Sequence, residues 1–193
     1  MAVRRLPLGT GVDTRIEVAA VAARTGEHER LHVAPRLDTE FGELGVLGML
    51  VPEAHGGLGL GDVDLVVVLE ETGKAALPEP VVETAAIVAP LLAEAGDEAL
   101  ASTWLPRIAR GETVATIAFG NSDLVTAGPE ADLVVLQRGE HLYALAPSAL
   151  SLSTERSVDG TRRIGTISWE ASPPDEARLA LVASPIDLVE RAR

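Results

Sequence analysis

The sequence contains no cysteine, which removes disulfides, thiolate nucleophiles and cysteine-ligated metals from its chemistry and sets the expectation of a reducing, cytoplasmic setting. Aromatic side chains are nearly as scarce: Phe, Tyr and Trp make up 3% of 193 residues, so aliphatic side chains must fill the interior. Trp104 and Trp169 then read as core anchors. Positive charge is in deficit too, with 16 basic against 29 acidic residues and a net charge of −13. A field of that sign repels polyanions and speaks against nucleic acid as a partner. An anionic ligand would need a local basic spot, and Arg107 with Arg110, or Arg162 with Arg163, are the candidates beside the ordinary reading of solvated arginines.

Long apolar runs are missing as well. Arg4 and Arg5 are not followed by the apolar stretch of a secretory signal, so none is expected. The best membrane candidate, residues 81–95, is too short for a bilayer and is interrupted by Glu83, Pro90 and Glu94. The four histidines are read as scattered and without carboxylate pairing, so no metal site is expected, and His55 reads as a turn residue.

What is present divides near Glu112. Before it, apolar residues recur at helical spacing; after it, short runs of Val, Ile, Leu and Thr alternate with Gly, Pro, Asp and Ser. The expected fold is α+β: a helical domain over residues 1–111, a small antiparallel β-barrel or sandwich over 112–184, and the start of a helix over 185–193. Helices are predicted over 15–24, 39–47 with Asp38 as cap, 63–74 introduced by Asp62, 79–95, and from Asp97 to a stop at Gly111. The third should bury the stripe Val63, Val66, Val67 and Glu70. The fourth should bury Val81, Ala85, Val88, Leu91 and Leu92, with Pro90 bending it. Strands are predicted over 113–119, 132–136, 141–145, 162–169 and 176–182, with Arg138-Gly139-Glu140 and Asp159-Gly160 as turns.

The most informative stretch is LGVLGMLVPEAHGGLGLG, residues 44–61. Its glycines permit close backbone approach or positive φ, and its first physical reading is a tight connector between packed helices. A phosphate cradle is disfavoured, because neither a strand–GxGxxG–helix unit nor GxxxxGK[ST] is present. Taken whole, the stretch resembles the acyl-CoA dehydrogenase family, in which LGLLGxxVPExxGGxGxG links two helices of the N-terminal domain. DVDLVVVLEETGKA (62–75) and DEALASTWLPRIARGETVATIAF (97–119) are similar to the family's next helix and to its W-L-P-x-L-x-x-G helix entering the first strand of the middle domain.

The resemblance implies a helical N-terminal domain, a β middle domain and a C-terminal four-helix bundle, with FAD between the last two. It implies a glutamate base that removes the α-proton of an acyl-CoA while the β-hydrogen leaves as hydride to the flavin. The TEPxxGSD-like loop and the W-[IV]-T-N-like strand of the family correspond to Ser122-Asp123 and Leu124-Val125-Thr126, with no hairpin between them. Ser122 and Thr126 are therefore the candidate flavin-binding residues. The bundle and its glutamate find no counterpart in these residues, so no catalytic residue is assigned, and Glu70 and Glu71 read as solvated helix charges.

Three functions follow from the resemblance. The first is an incomplete or non-catalytic subunit of a flavin-dependent acyl thioester dehydrogenase, sharing FAD with a partner chain that supplies the base. The second is a repurposed non-redox scaffold for an acyl or polyketide-like ligand, such as a cyclase. The third is a structural partner protein. An acyl-CoA or acyl-carrier-protein thioester is the implied ligand, and a homo- or hetero-oligomer the implied assembly.

Overall fold

Residues 133–136 read Leu-Val-Val-Leu without a polar interruption, the pattern of a strand covered on both faces. The computed structural model places a strand there, and it describes residues 39–77, 80–95, 97–119, 122–139, 141–159, 162–169 and 177–179. The helix predicted over 15–24, the cap Asp38 and the helix starting at 185 lie outside the described residues.

The helices come first. α1 spans Thr39–Glu43, shorter than the predicted 39–47, because Gly45 takes φ 77° and the chain turns away. The glycine-rich stretch then folds on itself around a single 3₁₀ turn at Glu53–His55. Its amides are consumed internally: Leu58 N–H donates to Gly48 O at 2.8 Å, Gly59 N–H to Val51 O at 2.9 Å and Leu60 N–H to Met49 O at 2.8 Å. A Cβ on Gly57 would stand 2.1 Å from Val51 O, so only glycine fits this crossing. The stretch is a tight connector with no free amide row to hold a phosphate.

α2 spans Asp62–Lys74. Gly61, not Asp62, occupies its cap position, and Asp64 reaches back to accept from Gly61 N–H at 3.0 Å. The predicted stripe is off by part of a turn: Leu65, Val68 and Thr72 are buried, whereas Val63 is 83% and Val66 59% exposed. Five consecutive apolar positions, Leu65–Leu69, hide the phase of the helix, so sequence alone could not choose the inward face.

The next helix meets its prediction. Val81, Ala85, Val88, Leu91 and Leu92 are all buried. Pro90 acts upstream of itself: Val82–Val88 winds as a π-helix, Ala89 N–H reaching Thr84 O, before α3 continues over Ala89–Glu94. A proline has no N–H and crowds the carbonyl four residues back, and the wider turn relieves that conflict. α4 spans Glu98–Ala109, capped by Asp97, whose carboxylate accepts from Leu100 N–H at 3.0 Å. Gly111, at φ 72°, ends it as predicted.

Among the described residues six strands follow: β1 Ala115–Ala118, β2 Leu124–Thr126, β3 Leu133–Arg138, β4 His141–Leu145, β5 Ser151–Glu155 and β6 Ile164–Ser168. They form two three-stranded sheets, ordered β1-β3-β4 and β2-β6-β5. The expected α+β fold, helices followed by a small β part, is what the structure shows; of the expected barrel or sandwich the described residues close no barrel but form two sheets, antiparallel except for the β1–β3 pair. Asp132 sets that register: its carboxylate accepts from Val114 N–H at 3.0 Å while its own N–H donates to Val114 O at 2.8 Å. The tight turn at Gly139 joins β3 to β4 as predicted, pairing Arg138 with His141. The strand predicted over 176–182 is described at 177–179, where Arg178 makes one bridge to Tyr143.

The first sheet is the spine. One of its faces, with Ala115, Ile117, Leu133, Val135, Leu142 and Ala144, packs with Leu91, Leu92, Leu105 and Ile108 of α3 and α4. The other, with Ala118, Val134, Leu136 and Leu145, shares a core with Val125 and Ile167 of the second sheet. Thr84, wholly buried in the π-helical turn, donates to Ala115 O at 2.9 Å and accepts from Ala115 N–H at 3.1 Å. One hydroxyl thus satisfies both backbone groups of an edge residue of the sheet, doing the work of a missing neighbouring strand.

Candidate functional site

The predicted flavin-contact residues lie on β2 and the turn before it. Ser122 is exposed and bonds its own local backbone: its hydroxyl lies 3.4 Å from Leu124 O and accepts from Leu124 N–H at 3.3 Å. These are long bonds at the limit of hydrogen-bond geometry, so the hydroxyl can turn to another acceptor at little cost. Thr126 stands at the other end of β2, paired with Ile164, and its carbonyl accepts from the Thr116 hydroxyl at 2.7 Å. Ser122 lies in the turn before β2 and Thr126 at its far end, so the two sit on opposite ends of the strand. They could touch different parts of one long planar ligand laid along the strand.

Ser122 and Asp123 border a small depression with Ala118, Leu136, Arg138 and Ile167, of about 10 Å³. That volume is about one water.

A larger cleft opens between α2 and the π-helix with α3. It measures about 350 Å³ and is lined by Leu50, Leu65, Val66, Leu69, Val82 and Ile87, with Asp62 and Glu94 contributing polar edges. Its size falls in the range of small-molecule pockets. The exposure of Val66 and Val82, which face this cleft, explains why α2 turns its apolar residues in two directions.

Of the basic residues weighed from sequence, Arg110 and Arg163 are matched to carboxylates. Arg110 makes a two-pronged contact with Glu112 at 2.8 and 2.9 Å, which raises its own pKa and holds the Glu112 carboxyl below its ordinary value. Arg163 Nε lies 2.7 Å from Glu130. Glu130 is nonetheless raised, because burial of its carboxylate outweighs the arginine beside it. Arg107 lies over the Trp104 ring at 4.9 Å, and Arg162 is exposed.

Three readings of single residues change. Glu71 is not a freely solvated charge: its side chain is 15% exposed and accepts from Lys74 Nζ at 2.9 Å, and Glu70 lies 3.3 Å from the same ammonium. His55 does face a carboxylate, with Nε2 3.9 Å from Glu98 Oε1, too far for a hydrogen bond. His28 and His32 stand at the H-E-x-x-H spacing, which the reading of scattered histidines passed over, and both lie outside the described residues. Among the described residues no three of His, Asp and Glu gather as metal ligands, and no helix is long and apolar enough to cross a membrane.

Sequence reasoning missed a cluster around the β3–β4 turn. Trp169 makes an edge contact with Tyr143, their ring centroids 5.8 Å apart, and the Arg138 guanidinium lies 5.2 Å from its ring. Tyr143 meets His141 edge-on at 6.3 Å, and Arg178 Nη2 donates to His141 Nδ1 at 3.0 Å. The available signal was period two: Arg138, His141 and Tyr143 fall on one sheet face once the hairpin is in register. Trp169 is half-buried there and Trp104 half-buried on α4, and each packs against a hydrophobic core, as the core-anchor reading expects.

Comparison with known proteins places these features. The sequence model described as "Acyl-CoA dehydrogenase, N-terminal domain" matches residues 14–112. Acyl-CoA dehydrogenase IpdE2 of Mycobacterium tuberculosis is 30% identical over 181 residues, covering 90% of this chain and 54% of that protein. The chain spans about half the length of the curated relatives it matches. Among solved structures, the ChsE4-ChsE5 complex from Mycobacterium tuberculosis superposes with a TM-score of 0.73 at 19% identity, covering 95% of this chain and 60% of that one. A glutaryl-coenzyme A dehydrogenase in complex with glutaryl-CoA gives 0.76 at 15% identity, covering 97% and 61%.

Proposed function

Because this chain belongs to the acyl-CoA dehydrogenase family through its N-terminal domain, we propose that it supplies one wall of the flavin site of an acyl thioester α,β-dehydrogenase. A partner chain supplies the helical bundle and the glutamate base. The observation that carries this reading is the abbreviated surface at Ser122: a shallow depression beside β2, with room for one water and a hydroxyl that is only loosely engaged. FAD, when bound, supplies the hydride acceptor. Ser122 and Thr126 would offer hydroxyl contacts along one edge of it, and the buried first sheet would hold β2 in place from behind. A relative that is itself a complex of two proteins, ChsE4-ChsE5, supports assembly from more than one chain.

The test is the visible spectrum of the purified protein, alone and after mixing with FAD and with a bundle-bearing acyl-CoA dehydrogenase chain. Retained flavin and acyl-CoA oxidation are expected in the mixture and not in the isolated chain. A yellow, active single chain would overturn the division of labour, and absence of flavin under every condition would overturn the redox reading.

The apolar cleft of about 350 Å³ beside α2 favours a second reading, a non-redox scaffold that binds an acyl or polyketide-like ligand. A ligand that binds the native state alone must raise the melting temperature. Stabilisation by acyl-CoA without any stabilisation by FAD would select this reading over the first.

A further inference from the structure

The apolar cleft beside α2 has a hydrogen-bonding character that its volume alone does not reveal. α2 contributes Leu65, Val66 and Leu69 to one wall, and Val82, Ala86 and Pro90 belong to the wall opposite. Asp62 opens α2 and Glu94 closes α3, and both line the cleft. Apart from these two carboxylates, every lining side chain among the described residues is aliphatic, so none carries an N–H or a hydroxyl.

That inventory sorts ligands by their ends. An ionised carboxylate accepts hydrogen bonds and donates none, and aliphatic walls do neither. A ligand that brings a hydroxyl or an ammonium to the edge of the cleft finds an acceptor in Asp62. A ligand that brings a carboxylate finds no side-chain donor among these residues and meets a like charge instead. The amides of a helix's first turn are the other donors that could receive an anion. Asp62 and Asp64 already stand in that turn of α2, and Asp64 accepts from Gly61 N–H at 3.0 Å. At the edge where α3 ends, helix carbonyls add to the negative potential, and Pro90 in the wall has no N–H to offer.

We propose that this cleft selects apolar ligands ending in a hydroxyl, an amine or another group without negative charge and excludes those ending in a free carboxylate, with Asp62 as the discriminating residue. The proposal rests on the reading of the cleft as a site for an acyl or polyketide-like ligand, and adds which members of that class fit. Val66 and Val82, 59% and 43% exposed, leave the apolar walls open to such a ligand. Selectivity of this kind comes from an unfavourable contact with the wrong ligand and does not need a tight fit to the right one.

The experiment titrates the full chain at neutral pH with 1-octanol, octylamine and octanoate, which share one chain length and differ in the end group. Methyl NMR shifts of Val66, Val82 and Ala86 locate binding in the cleft. Octanol and octylamine should bind saturably and octanoate about tenfold more weakly, the scale of one like-charge contact at a half-exposed site. Asp62→Asn should remove most of the octanoate penalty and lower octylamine to the affinity of octanol. Glu155→Gln, which removes the same charge on β5, should leave the ranking unchanged. Val66→Phe, at an exposed position of α2, should weaken all three probes by narrowing the cleft, with melting temperatures read in parallel to confirm folding. Octanoate binding in the cleft as tightly as octanol, or a penalty untouched by Asp62→Asn, would overturn the proposal and leave the scaffold reading standing. No saturable shift with any of the three would overturn both.

Discussion

The two sheets of this protein obey different rules. In β1-β3-β4 nearly every residue from Ala115 to Ala118 and from Leu133 to Leu136 is buried, with helices on one side and the second sheet on the other. In β2-β6-β5 burial is one-sided, and β5 is exposed along most of its length. The first sheet carries the fold; the second exposes polar side chains along β5 and the Ser122 turn before β2.

The sharpest way to break this comparison is to cut equal volumes from each sheet. Leu133→Ala, in the wholly buried β3, should lose about 2–5 kcal/mol through lost contacts and a residual cavity. Leu152→Ala, in the half-buried β5, should lose about 1 kcal/mol. Urea unfolding measures both, and equal losses would mean that the sheets do not differ in this way.

A second, smaller effect concerns the edge of the first sheet. Thr84→Val keeps the shape but strands Ala115 N–H and C=O inside the core, costing about 1–3 kcal/mol, whereas Thr84→Ser keeps the hydroxyl and should cost less. Hydrogen exchange at the Ala115 amide should quicken in the valine variant alone.

The smallest effect belongs to the 3₁₀ turn between β2 and β3, where Glu130 meets Arg163, and depends on pH. Burial raises the Glu130 carboxyl despite Arg163, so between the ordinary carboxylate value and its raised one the folded state holds more protons than the unfolded chain. Stability should therefore fall as pH rises through that window. Glu130→Gln removes the titrating group and should flatten this part of the pH–stability curve; an unchanged slope would show that another group sets it.

Legibility in the sequence followed the same division. β3 and β4 were found because their apolar runs and the Gly139 turn act locally. β5, Ser-Leu-Ser-Thr-Glu, was missed because a polar, exposed strand has no hydrophobic signature of its own and is held by its ladder to β6. β2 is absent from the strands predicted by pattern and was matched to a strand by resemblance alone: three residues, Leu124–Thr126, become a strand through pairing with β6. The inward phase of α2 was misjudged because its apolar positions are contiguous. At the site, Ser122 and Thr126 were chosen by resemblance, and their separation along β2 could not be read from a motif. The Arg138–Trp169–His141–Arg178 cluster joins residues up to forty positions apart, a proximity that hairpin register and sheet pairing create.

The sequence by itself determined the family, the order of helices before strands, the buried face of the helix around Val88, and the capped start and glycine stop of α4, because each depends on neighbours a few residues away. The tertiary structure decided the parallel pairing of β1 with β3, the π-helical turn that brings Thr84 to Ala115, the inward face of α2 and the convergence of Arg138, His141 and Arg178 on one sheet face. Those features depend on which surfaces meet, and long-range packing energies, not local preferences, select them.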